Sequence, residues 1–140
     1  MTWIDERLEQ LRRKTERDRA VFDGADRLFD ELWAEVEGRV KEANSKGLRV
    51  GTNGFAYERI VWASVIPPLE QPSAKRRELR INLHRESEGI SVSGSYQTWT
   101  LKIDVCEDGV VCLKHNDKAI VIQEAARLIL DPFLFPELKP

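Results

Sequence analysis

Residues 99–113 read WTLKIDVCEDGVVCL. Trp99, Leu101, Ile103 and Val105 alternate with Thr100, Lys102 and Asp104, the period of two that buries one face of a strand and wets the other. Glu107-Asp108-Gly109 breaks the alternation. A two-residue Asp-Gly loop would pair Val105 with Cys112 and Asp104 with Leu113, mixing apolar and polar faces. A three-residue loop with Gly109 left-handed at its end pairs Val105 with Val111 and Ile103 with Leu113, so the faces agree. That is a type I turn followed by a bulge, and it predicts an antiparallel hairpin.

The same beat extends upstream. Leu79, Ile81 and Leu83 alternate with Arg80, Asn82 and His84, and Ile90 and Val92 follow Ser87-Glu88-Gly89. Residues 55–66 (FAYERIVWASVI) carry apolar side chains on both parities toward their end and read as one strand covered on both sides there. Residues 51–54 (GTNG) read as a turn before that strand, and residues 67–77, with three prolines, as a loop. Downstream, residues 118–122 are read as a short strand in preference to a first helical turn. Residues 124–130 (EAARLIL) read as a helix stopped by Asp131-Pro132. The tail PFLFPELKP is too apolar to be free and is expected to pack on the body or on a partner.

The N-terminal third has a different period. Val21, Ala25, Leu28, Leu32, Val36 and Val40 recur at steps of three and four, with Phe22, Phe29 and Trp33 widening the stripe, as a helix packed on a core requires. Asp23/Arg27, Glu35/Arg39, Glu37/Lys41 and Glu42/Lys46 are acid-first pairs four apart on the other face. Gly47 is a natural stop. Upstream, residues 12–19 (RRKTERDR) contain no apolar side chain, so Ile4, Leu8 and Leu11 form a separate short stripe. The reading is a projecting helical arm over residues 1–19 and a single α+β domain over residues 20–140. The expected fold is a long N-terminal helix packed on one face of an antiparallel sheet of about five or six strands, with a short C-terminal helix.

Composition narrows the function. The chain has 140 residues, enough for one core-forming domain. Its 22 basic and 24 acidic residues balance to a net charge of −2, which disfavours a nucleic-acid partner. No apolar run approaches the ~18–20 residues of a membrane span, and MTWIDERLEQ lacks the apolar core of a signal peptide. A cytoplasmic location without membrane association is expected, with Cys106 and Cys112 as free thiols.

The sequence offers five candidate sites. Cys106, Cys112 and His84 share the polar sheet face, but the C-x5-C spacing is unusual for zinc and no fourth ligand is evident, so no metal is expected. Arg12-Arg13-Lys14 with Arg17 and Arg19 is laced with acids; Lys75-Arg76-Arg77 with Arg80 is the cleaner basic patch, without aromatics for base stacking. The Gly51 to Gly54 stretch lacks the helix N-terminus and Lys-Ser/Thr of a phosphate loop. Only His84 and His115 would serve as near-neutral bases, with Asp104 and Asp117 nearby in sequence pattern and a conceivable pocket mouth at Tyr57, Glu58 and Arg59. No catalytic or ligand-binding residue is assigned, no cofactor is expected, and a non-catalytic role is preferred to an enzyme.

The fifth candidate is association. Trp3, Ile4, Leu8 and Leu11 on the arm, Trp62 on the otherwise polar sheet face, and Phe133 and Phe135 in the tail are three apolar features in one small chain. The expectation is a protein-interaction or assembly module, a homodimer or other homo-oligomer or the binder of another protein. The alternative is a small-ligand domain or small enzyme with a cleft between helix and sheet.

Overall fold

The computed structural model describes residues 2–55, 58–65, 75–94, 98–136 and 138. Helix α1 (Trp3–Ser45) is followed by seven strands, β1 (Val50–Phe55), β2 (Glu58–Val65), β3 (Lys75–His84), β4 (Gly89–Ser93), β5 (Thr98–Val105), β6 (Val111–His115) and β7 (Lys118–Ile120), and by α2 (Ile122–Leu134). The strands form one antiparallel sheet in sequence order. Helix α1 meets β1 at one end of that order, β3 in the middle, and β5 and β6 toward the other, so the sheet wraps around it. Helix α2 packs beside α1.

Local chemistry sets the ends of α1. Thr2 caps the N-terminus, its hydroxyl accepting from the Asp5 N–H while the Asp5 carboxylate accepts from the Thr2 N–H. At the other end Gly47 adopts φ +107°. Its N–H bonds to the Asn44 carbonyl and that of Leu48 to the Ala43 carbonyl, both at 3.1 Å, satisfying two terminal acceptors. Between these ends Val21, Ala25, Leu28, Phe29, Leu32, Trp33, Val36 and Val40 are buried. Phe22, expected to widen that stripe, is exposed instead. It lies past the rim of the sheet, where the Arg85 guanidinium stacks on its ring.

The sheet buries Val61, Ala63, Leu79, Ile81, Leu83, Ile90, Val92, Leu101, Ile103 and Leu113 under α1 and α2. The β5–β6 register pairs Val105 with Val111 and Ile103 with Leu113, as the alternation predicts. In its turn the Gly109 N–H reaches the Cys106 carbonyl at 2.8 Å, and Gly109 is left-handed at φ +78°. Asn116 and Asp117, both at positive φ, make the two-residue turn into β7.

The expected architecture stands: a long N-terminal helix on an antiparallel sheet, with a short C-terminal helix. Among the described residues the strands number seven, slightly above the expected five or six, because residues 50–65 form two. Some local expectations fail in instructive ways. The GTNG stretch lies inside β1 and not in a turn: Gly51 faces Trp62 across the strands, and a Cβ there would collide with the indole. Residues 56–57, with Tyr57 among them, lie outside the described residues. Strand β3 begins at Lys75, so residues 75–77 leave the expected loop; residues 66–74 lie outside the described residues. Helix α2 runs through Pro132 to Leu134. The proline removes one helical N–H on the exposed side, while burial of Phe133 on the other side holds the final turn on the core.

Candidate functional site

The most unusual surface of the molecule is the first part of α1. Trp3, Ile4, Leu8 and Leu11 are 73, 51, 58 and 59 % exposed. Ile4, Leu8 and Leu11 fall in one row by steps of four and three. Thr15 continues it, and its hydroxyl bonds back to the Leu11 carbonyl at 2.9 Å, which satisfies the hydroxyl within its own helix. The flanks are held by pairs within the helix, Arg12 with Glu9 and Glu16, and Lys14 with Asp18.

The helix enters the body through a collar formed by the β3–β4 turn and the end of β5. Arg17 donates to Asp104 Oδ1 at 3.0 Å and to Glu88 Oε2 at 2.9 Å. Arg85, from the β3–β4 turn, holds Asp26 at 2.6 Å. Gly24 lies against Val111, whose Cβ would stand 3.1 Å from a Cβ at that position. Arg17 is thus not part of a purely solvated run: the charged spacer is tied to the sheet before it ends. Burial pushes the Asp104 carboxyl up, but the Val105 N–H, Arg17 and Lys114 outweigh it and hold the group below the usual carboxylate range. The hydrogen bond to Glu88 leads the effects that raise the Arg17 guanidinium above its ordinary value.

Other members of the expected interface separate. Phe133 is 8 % exposed, with the Arg77 guanidinium over its ring, and belongs to the core, so this part of the tail packs on the body. Phe135 and Leu138 remain exposed. Trp62 lies half-buried over Gly51 on the outer sheet face.

The thiol expectation is overturned. Cys106 and Cys112 form a disulfide across the β5–β6 hairpin, their Cα atoms 6.0 Å apart. The bulged turn sets the two residues on diagonal positions within ordinary disulfide reach. His84 stands three strands away, roughly 14 Å at the usual strand spacing, so the three do not converge. Its Nε2 lies 2.8 Å from Ser91 Oγ. His115 packs against the edge of Trp99 at 5.4 Å. The expected basic patch also divides: Arg77 turns to the core face and Arg80 is bonded to Glu58, while the side chains of Lys75 and Arg76 lie outside the described residues.

A cleft of about 760 Å³ runs between α1 and α2, floored by Ala43, Leu48, Leu130 and Leu134. On its rim Arg39 is engaged with Glu35 and Glu42. A second depression of about 660 Å³ lies where α1 faces β6 and β7. Neither brings a histidine to its lining, and Cys112, which lines the second, is held in the disulfide. No described helix is long and apolar enough to cross a membrane. The chain matches no protein-family model, and neither curated proteins nor solved structures contain a match to it.

What the sequence does not reveal is the pairing of Arg17 with its acceptors. Glu88 and Asp104 lie 71 and 87 residues from Arg17, and no local pattern connects them.

Proposed function

We propose that this chain is an assembly module that associates through its N-terminal arm, residues 1–19, with residues 20–140 as the body that carries it. The observation that supports the reading is the exposed row of Ile4, Leu8 and Leu11 on a capped helix whose base is fastened to the sheet. An unsupported helix of that length is marginal in water, and continuity with α1 is what keeps it formed. A rigid apolar row held away from its own core cannot be buried by the body that carries it. Phe135 and Trp62 are subsidiary contacts in this reading, and Phe133 no longer belongs to it.

The test is the solution mass of the full chain by sedimentation, with a Leu8→Asp/Leu11→Asp variant beside it. The wild type should exceed the monomer mass in a concentration-dependent way, and the variant should be monomeric with unchanged cooperative unfolding. A wild type that stays monomeric at millimolar concentration overturns self-association. The cytoplasmic expectation remains a proposal, and the disulfide weighs against it, since such bonds persist mainly in oxidising compartments.

A further inference from the structure

Resting on the arm as the association element, we infer that its partner is the arm of a second copy, paired antiparallel about a two-fold axis midway between Leu8 and Leu11. Three observations carry this.

The first is the row itself. Ile4, Leu8, Leu11 and Thr15 follow steps of four, three and four, the seam of a two-helix coiled coil. Reversed and laid on itself with Leu8 against Leu11, the row matches Ile4 to Thr15 at both ends. Each layer then joins apolar groups, the Thr15 methyl included.

The second is length. In that register Thr2, the cap, comes abreast of Arg17 of the other copy, where the helix is fastened to the sheet. The two exposed segments overlap completely, over about 20 Å at 1.5 Å per residue, and neither runs past. A register one heptad deeper would set Leu8 against Asp18, a carboxylate already engaged by Lys14 and Arg17, so the pairing stops there.

The third fixes the orientation. The row continues through Asp18 and Phe22 to Ala25, Phe29, Leu32 and Val36, and from Ala25 onward the sheet covers it. Parallel helices would therefore have to part as they reach the sheet, with both bodies at the same end. They would also set Arg7 against Arg12 and Lys14 against Arg19 on both flanks. Antiparallel arms place the bodies at opposite ends. One flank then sets Asp5 against Arg12 twice. The other sets Arg7 near Lys14, also twice, so the antiparallel flanks carry two repulsions where the parallel ones carry four. Lys14 is met within its own helix by Asp18, as Arg12 is by Glu9 and Glu16. Orientation is selected by this difference in charge and by the space the sheet occupies.

Arg12→Glu separates the orientations because its effect changes sign. In antiparallel arms it turns an attraction to Asp5 into a repulsion, and the dimer dissociation constant should rise about tenfold. In parallel arms it turns a repulsion from Arg7 into an attraction, and the dimer should tighten. Arg13→Glu makes the same charge change off the row and removes one bond to Glu9, where Arg12→Glu removes those to Glu9 and Glu16. Its dissociation constant should match the wild type, so a several-fold difference between the two variants reads the pair across the arms. Sedimentation equilibrium of the full chain reads all three. Tightening by Arg12→Glu, or equal effects of the two variants, overturns the antiparallel pairing while leaving assembly through the arm standing. A wild type that never dimerises overturns both.

Discussion

Leu8 and Leu32 sit on one uninterrupted helix and in one row of positions, broken only by Thr15 and Asp18, yet Leu8 is 58 % exposed and Leu32 fully buried. Nothing in the spacing of the helix distinguishes them. The difference is whether a sheet lies opposite, and the boundary is the collar at Arg17, Asp26, Glu88 and Asp104. Below it the row stabilises the fold. Above it the same chemistry stabilises nothing in the monomer and is free to act between molecules. Helix propensity and capping keep the upper part formed, and burial keeps the lower part docked; the two contributions are separable in one element.

The sharpest way to break this comparison is to truncate both leucines. Leu32→Ala removes a fully enclosed side chain and should cost about 2–5 kcal/mol of unfolding free energy in urea titration. Leu8→Ala should leave the unfolding of the monomer within about 0.5 kcal/mol of wild type. Comparable losses at both positions would mean that the arm is buried in the monomer after all.

A second test weighs the disulfide, which lies on the body side of the boundary. It closes a loop with a sequence separation of only 6, so its effect on the unfolded chain is limited. Cys106→Ser/Cys112→Ser should lower the unfolding free energy by about 2 kcal/mol. The solution mass should not change, because the hairpin bond is not part of the arm. A change in mass without a change in stability would place the hairpin in the interface.

The collar itself is the third test. Arg17→Met should cost about 1 kcal/mol. Its side chain keeps about a third of its surface in water, so the pair with Glu88 and Asp104 counts near the low end for charged hydrogen bonds. The Asp104 carboxyl is held below its ordinary range in the folded state. Its contribution is therefore complete above the unfolded value of about 4 and is lost as pH falls through the lower folded one. The stability gap between wild type and Asp104→Asn should be constant near neutrality and close below about pH 4. A gap that persists at low pH would show that geometry, and not charge, holds the collar.

These expectations also mark what could be read without coordinates. The β5–β6 register followed from parity alone, since only one loop length kept Ile103 and Leu113 on the same face. The α1 core row followed from the 3.6-residue period. What escaped were places where distant residues override local grammar. Gly51 and Gly54 looked like a turn, but Trp62 needs the glycine surface and makes that stretch a strand. Asp131-Pro132 looked like a stop, but Phe133 has a core to reach. The apolar residues of the arm are visible in the sequence as a site candidate; the pairing that fixes its base is not, because an ion pair spanning 87 residues leaves no periodic trace.

The smallest expected effect has the opposite sign and refines the comparison within the docked part of α1. Gly24 and Gly38 both sit mid-helix, where glycine costs roughly 0.5–1 kcal/mol relative to alanine through backbone entropy. At Gly38 an added Cβ meets nothing within 4 Å, so Gly38→Ala should stabilise the protein by about that amount. At Gly24 the Cβ would meet three Val111 side-chain atoms at 3.1–3.2 Å, closer than a relaxed contact. The strand beneath must give way there, and Gly24→Ala should lose the propensity gain or reverse it. Thermal unfolding of the two single variants reads the sign directly. A stabilised Gly24→Ala would mean that β6 stands further from α1 than the collar requires, and the distinction between a helix held by contact and a helix held by its own propensity would have to be redrawn at that position.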